Sequence, residues 1–106
     1  MITNKHVIDF INCLKEERFY DAHEVLEELW YPKRFDKSSE TLLVKGFINA
    51  SVSFELVKKG KIKPSIAVWK TYLKYKQLIF KISSTKIQLY YKVFLQIEIT
   101  NKKIKG

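Results

Sequence analysis

The chain is poor in residues that break or crosslink a fold: 106 residues contain 3 Gly, 2 Pro, 1 Cys and 1 Met. So little Gly and Pro excludes collagen-like repeats, low-complexity disorder and a turn-rich all-β fold. A single cysteine, Cys13, excludes an internal disulfide and suits a reducing compartment. Cys13 sits in an ordinary helical pattern with no activating motif for a catalytic thiol. No apolar run reaches the roughly 18–20 residues of a membrane span. The opening Met1-Ile2-Thr3-Asn4-Lys5-His6 lacks the apolar stretch of a signal peptide. The expected location is the cytoplasm, with no membrane partner. Arginine is scarce too, with only Arg18 and Arg34 beside eighteen lysines. Specific phosphate and base recognition favours the bidentate arginine fork, so this scarcity weakens a nucleic-acid reading of the basic charge.

Apolar residues make up 46 % of the chain and fifteen residues are aromatic, enough for the core of one domain spanning 1–106. The net charge of +9 is unevenly spread. Residues 1–53 hold seven Lys/Arg against nine Asp/Glu, whereas residues 54–106 hold thirteen Lys against two Glu. A basic half of this kind offers a face for an acidic partner, for nucleic acid or for another copy of the chain, or simply forms a solvated surface.

Hydrophobic periodicity predicts an all-α bundle of about five helices around a central, buried third helix. The first covers about 4–17, capped by Thr3 or Asn4, with Val7, Phe10, Ile11 and Leu14 on one face. The second covers about 19–31, with Phe19, Ala22, Leu26, Leu29 and Trp30 inward, and ends before Pro32. Residues 32–37 read as a basic loop. The third covers about 39–59, with Ser38 as cap and Gly60 as stop. It is apolar nearly all round, as a central helix is. Gly46, Asn49, Ala50 and Ser53 lie along one side, where small residues let a neighbouring helix come close. The fourth covers about 64–82, beginning at Pro64, with Ile66, Trp69, Leu73 and Phe80 as its inner stripe. Residues 86–100 carry two signals. Every odd position from Ile87 to Ile99 is apolar, which is strand-like. Ile87, Tyr90, Tyr91, Phe94 and Ile97 also make a helical stripe, and Thr85 to Gln88 fits a capping box. A lone strand would have no partner for its backbone groups, so helix is the expectation. Residues 101–106 read as a frayed basic tail.

One constellation has chemical potential. The second helix reads Phe19-Tyr20-Asp21-Ala22-His23-Glu24-Val25-Leu26-Glu27-Glu28-Leu29-Trp30. At 3.6 residues per turn, Glu27 lies about 40° round from His23, and Tyr20 about 20° further. The three form a strip at the border of core and solvent, with Glu24 towards the polar side. A His and a carboxylate at i, i+4 can share a divalent metal or act as an acid–base pair. The same pair can equally seal a helix against its neighbour under cover of Trp30, with Asn49 completing a polar network. His-Glu-x-x-Glu lacks the second histidine of the zinc-protease motif His-Glu-x-x-His, and zinc sites normally take three protein ligands.

This run resembles the signature of the bacterial and archaeal family called domain of unknown function 309, approximately Phe/Tyr-x-Glu-Ala-His-Glu-x-Leu-Glu-Glu/Asp-Leu-Trp. Leu43-Val44-Lys45-Gly46-Phe47-Ile48-Asn49-Ala50 resembles that family's Leu-x-x-Gly-Leu-Ile-Gln-x-Ala, and Gly60 matches the glycine ending its third helix. The resemblance covers about Phe19 to Trp69. It implies a compact helical domain with the His-Glu helix packed on the Gly-Leu-Ile helix, and it brings no established activity. It marks His23, Glu24, Glu27, Trp30, Gly46 and Asn49. The chain departs from the pattern at Asn49, where Gln is usual, and lacks the family's frequent His shortly before Gly60.

The leading expectation is a non-enzymatic interaction or scaffold module with a structural His-Glu-Trp motif lining a small polar pocket between helices 2 and 3, and no cofactor. The alternatives are a metal- or small-ligand-binding protein or enzyme using His23 and Glu27, and a Lys-rich nucleic-acid binder.

Overall fold

A computed structural model describes residues 1–106. The chain is all-α: α1 Asn4–Lys15, α2 Phe19–Trp30, α3 Ser39–Lys58, α4 Ile62–Lys76 and α5 Ile87–Lys105. Short 3₁₀ turns at Tyr31–Lys33 and Gln77–Lys81 come after α2 and α4. No helix is long and apolar enough to cross a membrane.

Local chemistry sets the helix ends. Thr3 caps α1 by accepting from the His6 N–H, and Ser38 caps α3 by accepting from the Thr41 N–H. Asp36 braces that cap, accepting from the N–H and hydroxyl of Ser38 and the hydroxyl of Thr41. Those bonds hold its carboxyl below the usual carboxylate range, the Ser38 N–H contributing most. α1 and α3 both end in a Schellman turn. At the end of α3, Gly60 takes φ +76°, the Gly60 N–H donates to the Val57 carbonyl and the Lys61 N–H to that of Leu56. At the end of α1, the left-handed position is held by Glu17 at φ 57°. Its carbonyl accepts from Lys58 Nζ at 3.2 Å, and its carboxylate lies 3.8 Å from both Lys58 and Lys103. Glu17 thereby ties the end of α1 to α3 and α5, which offsets the left-handed backbone cost of roughly 1–2 kcal/mol.

α3 is the central helix, packed on α2, α4 and α5. Leu43, Val44, Phe47, Ala50, Ser51, Ser53 and Phe54 are buried on it. Its small-residue side faces α4. A Cβ added at Gly46 would stand 3.0 Å from Cβ of Tyr75 and 3.7 Å from Cα of Tyr72. One to two turns on, Ser53 donates to the Ser65 carbonyl of α4 at 2.9 Å. α5 crosses α1 and α3 and is pinned by two buried tyrosines. The Tyr90 hydroxyl donates to Glu40 at the start of α3, and the Tyr72 hydroxyl of α4 donates to Glu98 of α5. Burial first, and the carboxylate second, push both phenols well above their ordinary value.

Four boundaries differ from the sequence expectation. α4 begins at Ile62, so Pro64 is its third residue, and regular α geometry stops at Lys76. Its core face is Ser65, Tyr72 and, through the 3₁₀ turn, Ile79, whereas Ile66, Leu73 and Phe80 face outward. The inner stripe is offset by one residue because small Ser65 occupies the close contact with α3 where the periodicity expects an apolar residue. Tyr31–Lys33 is a 3₁₀ turn across the expected end of the second helix and the start of the expected loop; there Arg34 stacks 3.8 Å over the Tyr31 ring. Residues 86–100 are helix, starting at Ile87 without a Thr85 side-chain cap, and buried at Tyr90, Val93, Ile97 and Thr100. The expected frayed tail is the last turn of α5, because Ile104 packs on the core and Lys105 Nζ donates to Ser53 Oγ at 2.8 Å.

Gly46→Ala should destabilise the fold although alanine is the better helix former by about 1 kcal/mol. The new methyl meets a Cβ rather than a flexible side-chain tip, and overpacking of that kind costs about 1–3 kcal/mol. Urea unfolding checks it; a variant more stable than the parent would show that the seam has slack.

Candidate functional site

α2 presents its motif because Phe19, Ala22 and Leu26 are buried and fix its rotation. That rotation leaves His23 at the rim, with 20 % of its side chain exposed. Its Nε2 meets the Glu27 carboxylate one turn on. Tyr20 lies edge-on to the imidazole, ring centroids 5.7 Å apart, and is itself mostly exposed. Glu24 beside the Tyr20 hydroxyl raises that phenol above its ordinary value. Tyr20, His23 and Glu27 therefore form the strip that the helical spacing implies, and Glu24, expected further round, also reaches the Tyr20 hydroxyl.

The other motif residues do not join it. Asn49 turns back on α3, its amide donating to the Lys45 carbonyl at 2.9 Å. Gly46 is spent on the approach of α4. Trp30 packs against the hydrophobic core and is half-buried. The polar network of His23, Glu27 and Asn49 is thus only its first two members. His23 Nδ1 is buried without a hydrogen-bond partner. With the ring proton on Nε2 towards Glu27, Nδ1 carries an unprotonated lone pair into the packed side, the less costly of the two orphans.

This geometry decides what the strip can do. No group of three or more His, Cys, Asp or Glu side chains is placed to hold a metal ion. None of the five cavities in the fold is lined by His23, Glu24 or Glu27, so the expected small polar pocket between α2 and α3 does not open at them. Tyr20 lines a shallow cleft with Glu17, Asp21, Glu55, Lys58 and Lys59, away from the imidazole–carboxylate contact. An acid–base pair needs a substrate proton within about 2.6–3.2 Å, and the surface at His23 provides no recess to hold one.

Two features that residue spacing did not single out are more open. The outward face of α5 carries Tyr91, Leu95 and Ile99 at successive turns, with Leu95 55 % and Ile99 62 % exposed. The signal is present as the apolar alternation of 87–99: half of it faces the core and the other half faces out. The second feature is a cavity between α4 and the end of α5, containing Trp69 and Lys105.

A family model described as domain of unknown function (DUF309) matches residues 7–68, more than half of the chain. It takes in α1 from Val7, all of α2 and α3, and the first half of α4. No curated protein and no solved structure matches the chain.

His23→Ala is expected to lower stability by about 1–2 kcal/mol through lost packing and the lost Glu27 contact. Glu27→Gln should cost less than about 1 kcal/mol, since its carboxylate can return to water. Denaturant midpoints of the two variants check the order. A His23→Ala protein as stable as the parent would remove the structural role.

Proposed function

The chain belongs to the DUF309 family, and we propose that it is a small, non-enzymatic interaction module of the cytoplasm whose His-Glu-Trp helix is structural and whose partner-binding face is the outer side of α5. One observation carries this reading: a row of large apolar side chains left in solvent on a helix whose opposite face is buried. Tyr91, Leu95 and Ile99 span roughly 12 Å along the axis. Lys102 continues the row, and Lys92 and Lys103 flank it. Lys92 and Lys102 have no ion-pair partner within the chain, and Lys103 lies 3.8 Å from Glu17. Glu98, the one acid on α5, is engaged with Tyr72 and Lys76.

A row of this shape suits the apolar stripe of a partner helix, with carboxylates on that helix facing the lysines. A second copy of this face would bring like charges together, so the chemistry favours an acidic amphipathic helix over self-association. The lone, buried Cys13 is compatible with the reducing cytoplasm. The strip on α2 is assigned no reaction, because His23 and Glu27 engage each other and no cavity is lined by His23, Glu24 or Glu27.

A labelled Leu/Glu amphipathic peptide tests the reading by fluorescence anisotropy. Binding is expected at low salt, weakening as salt rises. It should be lost in a Leu95→Glu, Ile99→Glu double variant that keeps the parent's melting temperature, both positions being solvent-exposed. No binding at low salt, or equal binding to the double variant, would overturn it. Tighter binding to duplex DNA, unaffected by the double variant, would transfer the basic half to the nucleic-acid reading.

A further inference from the structure

Three of the exposed large apolar side chains, Ile62, Ile66 and Leu73, come together on one side of α4. With Trp69 and Ile104 they wall a cavity of about 490 Å³ between α4 and the last turn of α5. That volume lies within the roughly 300–1,000 Å³ of small-molecule sites, which are mostly apolar with a few placed polar groups. Here the placed polar group is the ammonium of Lys105. Its Nζ stands 3.6 Å from the centroid of the Trp69 ring and donates to Ser53 Oγ at 2.8 Å. The Ser53 hydroxyl in turn donates to the Ser65 carbonyl, so the chain Lys105–Ser53–Ser65 is fully oriented.

The protein thus binds one of three ammonium protons with a hydrogen bond and faces a second charge-stabilising surface, the indole. It offers Lys105 no carboxylate: none lies within ion-pair distance and none lines the cavity. Lys70 is the only other charged group in the wall. Burial with no neighbouring acid pulls the Lys105 ammonium down to about 8. Lys105 stays open to solvent, and its ammonium, with one proton bonded to Ser53 and its face on the indole, keeps donors free for an incoming anion.

We propose that this cavity binds a small hydrocarbon acid, with its apolar body against Ile62, Ile66, Trp69 and Leu73 and its carboxylate on Lys105. A neutral hydrocarbon would fill the walls and leave the ammonium unanswered. A free phosphate would meet two lysines but gain nothing from the apolar walls. Only an amphipathic anion satisfies both parts. The site is separate from the outer face of α5 and does not depend on the peptide-binding reading.

Decanoate, decanol and decyltrimethylammonium are the probes, titrated below their micellar concentrations at neutral pH. Trp69 emission is read in a Trp30→Phe background, with calorimetry on the parent chain as the second measurement. Decanoate should bind saturably at one site, decanol about tenfold or more weakly, and the cation not at all. In Lys105→Met the preference for the acid over the alcohol should disappear. Decanoate affinity should also fall as pH rises through about 8, where the free ammonium loses its proton, while decanol affinity stays level. Equal affinity for acid and alcohol in the parent, unchanged decanoate binding by Lys105→Met, or no saturable binding by either method would each overturn the proposal.

Discussion

The approach of α4 to α3 at Gly46 is the contact on which the rest of the molecule depends. A helix pair can close to backbone–side-chain distance only where one partner lacks a side chain, and Gly46 supplies that vacancy opposite Tyr72 and Tyr75. Ala50 and Ser53 continue the small surface along α3, both fully buried. The closeness has consequences two turns away. It lets Ser53 reach the Ser65 carbonyl, and it lays Trp69 against Phe54 and Tyr72, ring centroids 5.7 and 4.6 Å away. It also brings Tyr72 to Glu98 on α5. α5 is then held at both ends, by Glu40 near its start and by Ser53 at its last turn. A looser seam would release Trp69, Lys105 and the register of α5 together.

Charge is governed by the same packing. Several acids are engaged internally: Glu17 by Lys58 and Lys103, Glu27 by His23, Glu55 by Lys59, and Glu40 and Glu98 by buried tyrosines. Lysines outnumber these partners in the second half of the chain, so a surplus must remain unpaired, and the fold distributes it unevenly. Most of the surplus is solvated, where each charge is screened and worth little. Lys105 differs in its neighbours, because its helix lays it over the Trp69 indole with a hydrogen bond to Ser53. A net positive charge on its own distinguishes none of these positions; the groups around each lysine do.

The helical class, the central place of α3, the caps at Thr3 and Ser38 and the rotation of α2 were legible because each rests on local chemistry or on a strong 3.6-residue stripe. The strip Tyr20–His23–Glu27 was legible for the same reason. Its completion by Asn49 was not, because the amide bonds the carbonyl one turn back on its own helix, and spacing cannot reveal that choice. The face of α4 differs from its apolar pattern by one position because helix packing there selects small Ser65 over larger Ile66. Residues 101–106 look frayed by composition, yet a lysine stem packs as an apolar group when an aromatic face is in reach. The α4 and tail differences share a cause. Each concerns a residue whose partner lies on a distant element, as Lys105 and Ser53 do across 52 positions.

The positions that depart from their pattern are also the ones left with unspent chemistry. Ile66 and Leu73 would have been ordinary core residues had α4 been rotated as the apolar count suggests; turned outward, they wall a cavity instead. The alternation at 87–99 would have been a strand's two faces; wound as a helix, it exposes Tyr91, Leu95 and Ile99. In both cases more apolar surface is present than the core accepts, and exposed apolar surface in a contiguous patch is where soluble proteins meet partners or ligands. The family match ends at residue 68, after the α2–α3 pair and Gly46 but before Trp69 and the two tyrosines that meet Gly46. The matched part supplies the α3 side of the seam, and late α4 and α5 complete it. The exposed apolar surface falls on both sides of that limit, with Ile62 and Ile66 inside the match and Leu73, Tyr91, Leu95 and Ile99 beyond it, so the two proposed surfaces draw on α4 and α5 rather than on the His-Glu helix that identifies the family.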